Sequence, residues 1–170
     1  MSVEQVLHRF GKYIVKQSRS NLTRKGKRNT SDLYDSLSYY VKTFKNSFEF
    51  GISMEDYGTF VDKGVKGFQS SSKAPKSPYK FGTGTGKKGG LTQGIDKWVR
   101  SKRLQFRKAD GRFMSYANTS FLIRRSVWNT GIETTSFFSR PFELAFKKLP
   151  EEVVEAYGLE LDKFLELSLR

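Results

Sequence analysis

The chain has 170 residues, of which 36% are hydrophobic and 15% aromatic, so one domain with a Phe- and Tyr-rich core is expected. It has no cysteine and one histidine, His8, which excludes disulfides, thiolate metal sites and a Cys nucleophile and argues against a Ser/His/Asp triad. The net charge of +14 is uneven, because Lys63 to Arg112 holds fourteen Lys and Arg against two acidic residues. Arg140 to Arg170 holds seven acidic residues against five basic ones. Such a basic segment indicates a polyanion or an acidic protein surface as its partner.

A membrane partner is not expected. No apolar run approaches the ~20 residues that a bilayer-spanning helix needs. The first ten residues lack the uninterrupted apolar stretch of a signal peptide. We therefore expect a protein that is made and kept in a cytoplasm.

The first element is predicted to be an amphipathic helix. Ser2 and Gln5 have the spacing of a capping box that would start it. Its apolar side recurs every three or four residues, at Val3, Val6, Leu7, Phe10 and Ile14. The pattern fades at Ser18 to Ser20, before a basic loop from Arg24 to Arg28. His8 falls on a flank and is expected to be a surface residue.

Two strands are predicted next. Thr30, Ser31 and Asp32 offer N-cap oxygens for a short helical turn. From Leu37 to Lys42, and again from Phe48 to Ile52, apolar and polar residues alternate, which is typical of two antiparallel strands joined by a turn.

A brief helix from Asp56 to Asp62 is predicted to follow the strands. It would pack Tyr57, Phe60 and Val61, and Gly64 would close it as a left-handed cap.

Phe68 to Gly90 is rich in Ser, Lys, Gly and Pro and has few apolar groups, so we expect a mobile loop or an arm that orders on contact. It is not a phosphate-binding loop. A Walker loop places four residues between its first Gly and the Gly-Lys pair, then Ser or Thr, whereas Gly82 and Gly86 enclose three residues and Lys88 takes the hydroxyl position.

Three further helices complete the predicted α+β fold. One spans Thr92 to Lys102, and another spans Ser115 to Asn129 and ends at Gly131. The last has Pro150 in its first turn. The predicted inward residues of the three helices are Ile95, Trp98 and Val99; Ala117, Phe121, Ile123 or Leu122, and Val127 or Trp128; and Val153, Val154, Tyr157, Leu161, Phe164, Leu165 and Leu169.

The carboxylates do not form a convincing catalytic pair. Asp32 with Asp35, and Glu151 with Glu152 and Glu155, lie at helix starts, where acidic residues stabilise the helix dipole. General acid–base chemistry needs an enclosed site that separates the pKa values of two such groups. We therefore predict no catalytic residue, no metal site and no cofactor, and a small hydrolase or nuclease is disfavoured.

The basic segment has two possible roles. Its cations could contact a phosphate backbone, with aromatic side chains stacking on exposed bases. It could instead be a solvated face with Trp98 and Phe106 in the core. The candidate contact residues for DNA or a partner are Lys73, Lys76, Lys80, Lys87, Lys88, Lys97, Arg100, Lys102, Arg103, Arg107 and Lys108.

Three segments, in this order, resemble one family. Asn29 to Leu37 is similar to a polar-Leu-polar-polar-Ser-apolar signature that enters the first strand of that family. Asp56 to Gly64 resembles a Tyr followed by an aromatic-Val-acid-x-Gly run, and Ser139 to Phe142 resembles a closing Arg-Pro-Phe segment. The family is the tail-completion or neck proteins of tailed double-stranded-DNA phages, the lambda Z-type group. The residues that carry the resemblance, or are expected to pack around it, are Leu33, Ser36, Tyr57, Phe60, Val61, Asp62, Gly64, Gly67, Arg140, Pro141 and Phe142.

The sequence departs from this family in two places. Asp62 stands where Glu is commoner, and Val65 to Gly67 stands where shorter members have a Thr. The segment from about 67 to 112 is therefore predicted to be a basic, flexible insertion in a single domain.

The resemblance implies a structural virion protein rather than an enzyme. It would form a homo-oligomeric ring at the head–tail junction, between portal or head-completion proteins and the tail-terminator or tail-tube proteins. The ring would surround the channel for packaged double-stranded DNA. The alternative is a freely acting, sequence-nonspecific nucleic-acid-binding protein.

Overall fold

A computed structural model describes residues 2–26, 32–44, 47–84 and 89–168, with side chains as far as residue 160. The chain divides into two compact units: unit 1 is Met1–Gly58 with Ser136–Arg170, and unit 2 is Thr59–Thr135. The described elements are α1 (Val3–Arg24), α2 (Asp32–Ser36), β1 (Ser38–Phe44), β2 (Ser47–Ser53), α3 (Gly58–Lys63), β3 (Val65–Lys66), α4 (Gly90–Ser101), α5 (Tyr116–Thr130), β4 (Gly131–Ile132), α6 (Ser139–Phe146) and α7 (Leu149–Ser168). Helices at both termini and a small antiparallel sheet confirm the predicted α+β class.

The predicted start of α1 is confirmed. The Ser2 hydroxyl accepts a hydrogen bond from the Gln5 backbone N–H at 3.2 Å, and the Gln5 side chain accepts one from the Ser2 N–H at 3.1 Å. The predicted end is wrong, because the helix continues through Ser18–Ser20 to Arg24. Leu22 extends its buried side by two more turns, and Ser18 is itself buried, so the polar run does not end the helix. Of the predicted basic loop, Arg24 is helical and Gly26 adopts a φ of +63°, while residues 27 and 28 lie outside the described residues.

β1 and β2 form the predicted antiparallel hairpin, with Tyr39 opposite Ile52 and Val41 opposite Phe50. One face packs on α1, where the Phe10 and Phe50 rings meet edge to face at 5.2 Å. A Cβ on Gly11 of α1 would overlap the Tyr39 ring, so the missing side chain lets the strand approach the helix.

The other face of the hairpin carries Tyr40, Lys42 and Phe44 from β1 and Glu49 from β2. The Tyr40 hydroxyl donates a hydrogen bond to Glu49 at 2.8 Å. That bond, and the negative charge of the carboxylate, raise the pKa of Tyr40 above its ordinary value.

α7 runs antiparallel to α1. Glu152 pairs with Arg9 at 3.0 Å, and the Glu160 carboxylate accepts a hydrogen bond from the Val3 N–H at 3.2 Å. The core between these helices consists of Val3, Val6, Leu7 and Ala156, with Val41, Phe50, Leu149 and Val153 packed against it.

Two of the predicted core residues of α7 are wrong. Val154 is 72% exposed and Tyr157 is 61% exposed. The buried row instead follows Leu149, Val153 and Ala156, spaced by four and three residues, which turns positions 154 and 157 away from α1. The predicted residues Leu161, Phe164, Leu165 and Leu169 lie outside the described side chains.

In unit 2 the loop after β3 is held in place. The backbone N–H of Phe68 donates to the Trp128 carbonyl at 2.8 Å, and the Ser77 hydroxyl donates to the Gly64 carbonyl at 2.7 Å. Lys66 and Lys80 form a parallel bridge, and the Phe81 ring stacks on Trp128 at 5.3 Å. The predicted mobile loop or arm is therefore not what the structure shows for residues 68–84. This segment has a defined structure within unit 2, although it contains few apolar groups. Residues 85–88 lie outside the described chain.

The bounds of α4 and α5 agree with prediction to within two residues, and Val99 is fully buried with Ile95 and Trp98 half-buried beside it. The inward face of α5 was partly misassigned, because Ala117, Phe121, Leu122 and Trp128 are exposed. The buried side is Thr119 and Ser120, continued by half-buried Ile123 and Val127. Thr119 can lie inside because its hydroxyl accepts a hydrogen bond from the Phe106 N–H at 3.2 Å.

Across the described part of the chain, no helix combines the length and the apolar character needed to cross a membrane.

Candidate functional site

The positive charge of the chain belongs to unit 2. That unit holds sixteen Lys and Arg against four Asp and Glu, a net charge of +12, whereas unit 1 holds fifteen against thirteen, a net charge of +2. Fourteen of the sixteen cations are described, and all but Lys66 and Arg124 are exposed. Among the described residues, the ion pairs found are Arg9–Glu152 and Lys42–Glu49, both in unit 1, where Glu4 also lies 3.7 Å from a ring nitrogen of His8.

The predicted contact residues separate into two groups at opposite ends of α5. At its C-terminal end, the Lys73 ammonium donates to the Thr130 hydroxyl at 2.8 Å, in the loop that also carries Lys76 and Lys80. At its N-terminal end, Thr119 anchors Phe106 and the cations around it. With a rise of 1.5 Å per residue, the eleven positions from 119 to 130 separate the groups by about 16 Å. Lys87 and Lys88 lie outside the described residues.

The second group lies on residues 100–114, which we call the basic connector because they join the end of α4 to the start of α5. It contains six exposed cations and one acidic residue, Asp110. The cations are Arg100, Lys102, Arg103, Arg107, Lys108 and Arg112; Lys97 is exposed one turn earlier on α4.

The connector begins with a Schellman motif. The Arg103 N–H donates to the Arg100 carbonyl at 3.1 Å, and the Leu104 N–H donates to the Val99 carbonyl at 2.9 Å. This motif needs a left-handed residue at the position of Arg103, whose φ is +52°. Glycine is the usual residue there, since the left-handed conformation costs other L-residues about 1 kcal/mol.

A short hairpin follows the motif. The Lys108 N–H donates to the Arg112 carbonyl at 2.9 Å, the Met114 N–H donates to the Phe106 carbonyl at 2.7 Å, and Arg107 bridges Phe113. The turn contains Asp110, whose carboxylate accepts a hydrogen bond from the Arg112 N–H at 3.0 Å. The connector is therefore a defined structure that displays its cations.

An aromatic ring positions one of these cations. The Arg107 guanidinium lies over the Phe113 ring, 4.5 Å from its centroid, while Phe113 remains 59% exposed. Such a cation–π contact limits the freedom of the arginine without neutralising its charge. The alternative that places both Trp98 and Phe106 in the core does not hold for Phe106. This ring is exposed, whereas Trp98 is half-buried.

The middle segment of the family resemblance builds the start of unit 2. Gly64 has a φ of +71°, and a Cβ there would lie 2.6 Å from the Ile132 carbonyl oxygen. A Cβ on Gly67 would overlap the Asn129 carbonyl oxygen. Asp62 is buried, and the Val61 carbonyl accepts a hydrogen bond from the Thr135 hydroxyl at 2.6 Å.

Two aromatic residues of the same segment pack less than predicted. Tyr57 is 41% exposed and Phe60 is 40% exposed, although the Phe60 ring meets Tyr79 edge to face at 4.6 Å.

The other two segments of the resemblance lie in unit 1. Leu33 is buried in α2, and the Ser36 hydroxyl donates to the Leu33 carbonyl at 3.1 Å and accepts from the Glu55 N–H at 3.0 Å. Residues 29–31 are outside the described chain.

The Arg-Pro-Phe segment opens α6. Pro141 is buried, Arg140 is exposed, and the Phe142 ring contacts Phe10 at 5.8 Å and Phe146 at 5.6 Å. The segment therefore fixes α6 on α1.

α6 and α7 also expose large apolar side chains: Leu144, Phe146, Val154, Tyr157 and Leu159. Val154 and Tyr157 are three residues apart and share one helix face. Along β1 and β2, the described residues pair with each other alone, so the outer edges of this hairpin are open.

An open groove on α1 is lined by Lys12, Val15, Lys16, Arg19, Ser20, Thr23, Tyr34 and Tyr39. The Arg19 guanidinium has a structural role, because it donates hydrogen bonds to the backbone carbonyls of Tyr34 at 3.0 Å and Leu37 at 2.9 Å. No carboxylate lines this groove, so it offers no pair of acid and base. His8 is half-buried on the same helix, with one ring nitrogen 3.3 Å from the Tyr39 hydroxyl.

No group of three or more His, Asp or Glu in the described residues could hold a metal ion. The carboxylates considered for catalysis are not enclosed: Asp32, Asp35, Glu151 and Glu155 are exposed, and Glu152 pairs with Arg9.

Comparisons with protein-family models, curated proteins and solved structures gave no match for this chain.

The hairpin of the connector has a signal in the sequence beyond the charge pattern. Asp110-Gly111 is a strong indicator of a hairpin turn, and it stands between Phe106 and Phe113. The left-handed Arg103 had no such signal, because glycine or asparagine normally marks that position.

Proposed function

We propose that this chain is a structural subunit of the neck of a tailed bacteriophage. Copies would assemble as a closed ring that joins portal or head-completion proteins to the tail-terminator or tail-tube proteins and surrounds the DNA channel. Its place is then the virion, after synthesis in the host cytoplasm. We predict no cofactor and no catalytic step for this role.

The exposed apolar surface of unit 1 carries the proposal. Val154 and Tyr157 project from α7 away from the α1 core, and Leu144 and Phe146 are exposed on α6. Apolar side chains of this size, on a folded unit, are typical of surfaces that another protein covers. The open edges of the β1–β2 hairpin offer a second place for a neighbour, because an unpaired strand edge can accept another strand.

The family resemblance supports a neck ring as the kind of assembly that this surface forms. Its three segments occupy positions where their residue types have physical roles: Ser36 bridges α2 to Glu55, Gly64 takes a left-handed conformation, and Pro141 is buried in the first turn of α6. The contacts of a ring are heterologous, so different faces of one subunit must fit each other. The near-neutral unit 1 and the basic unit 2 differ in charge, so the chain carries surfaces of different character.

The test is the assembly state of the full chain. We expect light scattering coupled to size exclusion, and negative-stain microscopy, to show a closed ring. The double variant Val154→Glu, Tyr157→Glu should remain monomeric, because two buried charges would be introduced at the interface. Lys16→Glu, on an exposed position of α1, should still assemble.

A wild-type protein that stays monomeric at high concentration and is missing from purified particles would overturn the proposal. Density for the ring at the vertex that bears the tail would support it.

A freely acting nucleic-acid-binding protein is the second candidate, and the exposed cations of unit 2 favour it. It predicts a monomer that binds DNA with an affinity falling steeply as salt rises. The assembly experiment separates the two candidates, because the ring is required by the first alone.

A further inference from the structure

We infer that the basic connector is a binding site for the phosphate backbone of duplex DNA, distinct from the basic loop that carries Lys73, Lys76 and Lys80. The inference deepens the proposed function and rests on it for the choice of duplex DNA, which is what a neck ring encloses. It assigns the contact to one end of α5.

The basic connector has a high density of positive charge. Six exposed cations and one acidic residue occupy fifteen consecutive positions of the connector. A duplex carries one negative charge per about 1.7 Å of its axis, so a compact group of cations can meet several phosphates at once. An acidic protein would have to supply an equal number of carboxylates in one place.

Most cations of the connector are arginines, and part of the set is held in place before binding. Four of the six are arginine: Arg100, Arg103, Arg107 and Arg112. A guanidinium matches the paired oxygens of a phosphate with two parallel hydrogen bonds. The hairpin hydrogen bonds and the ring of Phe113 hold part of this set in place before binding, which lowers the entropy lost on contact.

The connector also contains a residue with a strained backbone. Arg103 takes a left-handed conformation, with φ of +52°, in a motif that glycine serves better. Keeping a cation at this position gives up stability that glycine would restore, which is typical of a residue retained for binding. The two effects can be separated by one substitution.

The experiment measures the affinity of the full chain for a labelled duplex of mixed sequence at several NaCl concentrations. For the triple variant Arg107→Gln, Lys108→Gln, Arg112→Gln, we expect affinity at 100 mM NaCl to fall by at least about 30-fold. The slope of log Kd against log salt should fall by about three, since each lost phosphate contact removes about 0.9. The matched control Lys73→Gln, Lys76→Gln, Lys80→Gln removes the same charge at the other end of α5 and should cost less than about threefold if binding is local.

The variant Arg103→Gly tests whether a loss of DNA binding could come from misfolding of the variant protein. It should raise the melting temperature by about 2–4 °C, as expected for relief of one strained residue in a chain of this size. The same substitution should weaken duplex binding about three- to tenfold and lower the salt slope by about one. Ser136→Gly, at the other described non-glycine residue with a positive φ, should raise the melting temperature without changing binding.

Several outcomes would overturn the inference. Equal losses from both triple variants would indicate general attraction to unit 2 without a local site. An unchanged slope for Arg103→Gly, tighter binding of a single strand per phosphate, or equally tight binding of poly-glutamate would each exclude a duplex-phosphate site at the connector. Rings that do not bind DNA through the connector would defeat this inference alone, whereas a monomer that does bind would defeat only the proposed function.

Discussion

Units 1 and 2 are held together by different kinds of contact. Among the described residues, ten of the thirteen buried apolar side chains belong to unit 1, whereas five of the six buried polar ones belong to unit 2. The interior of unit 1 consists of buried apolar side chains such as Ile14 and Phe137. The interior of unit 2 contains close backbone contacts. Gly64 and Gly67 let backbone segments approach each other there, and the Ser77 hydroxyl donates a hydrogen bond to a backbone carbonyl. A basic segment with few apolar residues can therefore be ordered when its backbone groups find partners.

The largest expected effect is at the backbone contact of unit 2. Gly67→Ala should lower the free energy of unfolding by about 4 kcal/mol, because the new Cβ would displace the Asn129 carbonyl that accepts bonds from Gln69 and Ser70. Gly94→Ala is the control in the same unit, since it lies in α4 with open space around it. It should stabilise by up to about 1 kcal/mol. Denaturant unfolding measures both, and a small cost at Gly67 would contradict the backbone account of unit 2.

A core truncation in unit 1 should come next. Ile14 is fully buried, and Ile14→Ala should cost about 3 kcal/mol from lost burial and the cavity that remains. Tyr13→Ala changes the exposed neighbour on the same helix and should cost less than about 1 kcal/mol. Hydrogen exchange should show reduced protection of α1 amides. If protection in α5 falls equally, the two units unfold as one and the distinction between them is weaker than proposed.

The smallest effect is that of salt. The +12 charge of unit 2 repels itself, and salt screens exposed charges over a Debye length of about 10 Å at 0.1 M. Raising NaCl from low to moderate concentration should therefore stabilise unit 2 by on the order of 1 kcal/mol. Amide exchange at several ionic strengths should show slower opening in α5 and little change in α1. The reverse pattern would mean that the cations of unit 2 are already compensated.

Local patterns predicted much of the fold. The Ser2–Gln5 spacing and the apolar periodicity located the start of α1, and Gly64 and Gly131 marked the ends of α3 and α5. The continuation of α1 past Ser18 was missed, because its contacts there are distant in sequence: Leu22 is buried, and the neighbouring Asn21 side chain donates a hydrogen bond to the Phe137 carbonyl at 3.1 Å. These are tertiary effects that override local pattern.

The candidate site was only partly predictable. Sequence identified the cations of the connector but combined them with Lys73 to Lys80, since charge along a chain does not tell which residues meet in space. Their separation follows from contacts at the two ends of α5, through Thr119 and Thr130. The ordered structure of the loop from 68 to 81 was missed for a related reason. The residues that accept its hydrogen bonds, Trp128 and Asn129, come some sixty residues later in the sequence.

The discontinuity of unit 1 has a consequence during synthesis. α1 and the β1–β2 hairpin leave the ribosome before unit 2, but α6 and α7, which cover α1, follow after the 77 residues of unit 2. At roughly 5–20 residues per second, that interval lasts about 4–15 s. For that time the nascent chain displays Phe10 and Leu7 without their final cover, so we expect a chaperone to engage this early intermediate and not the completed middle segment.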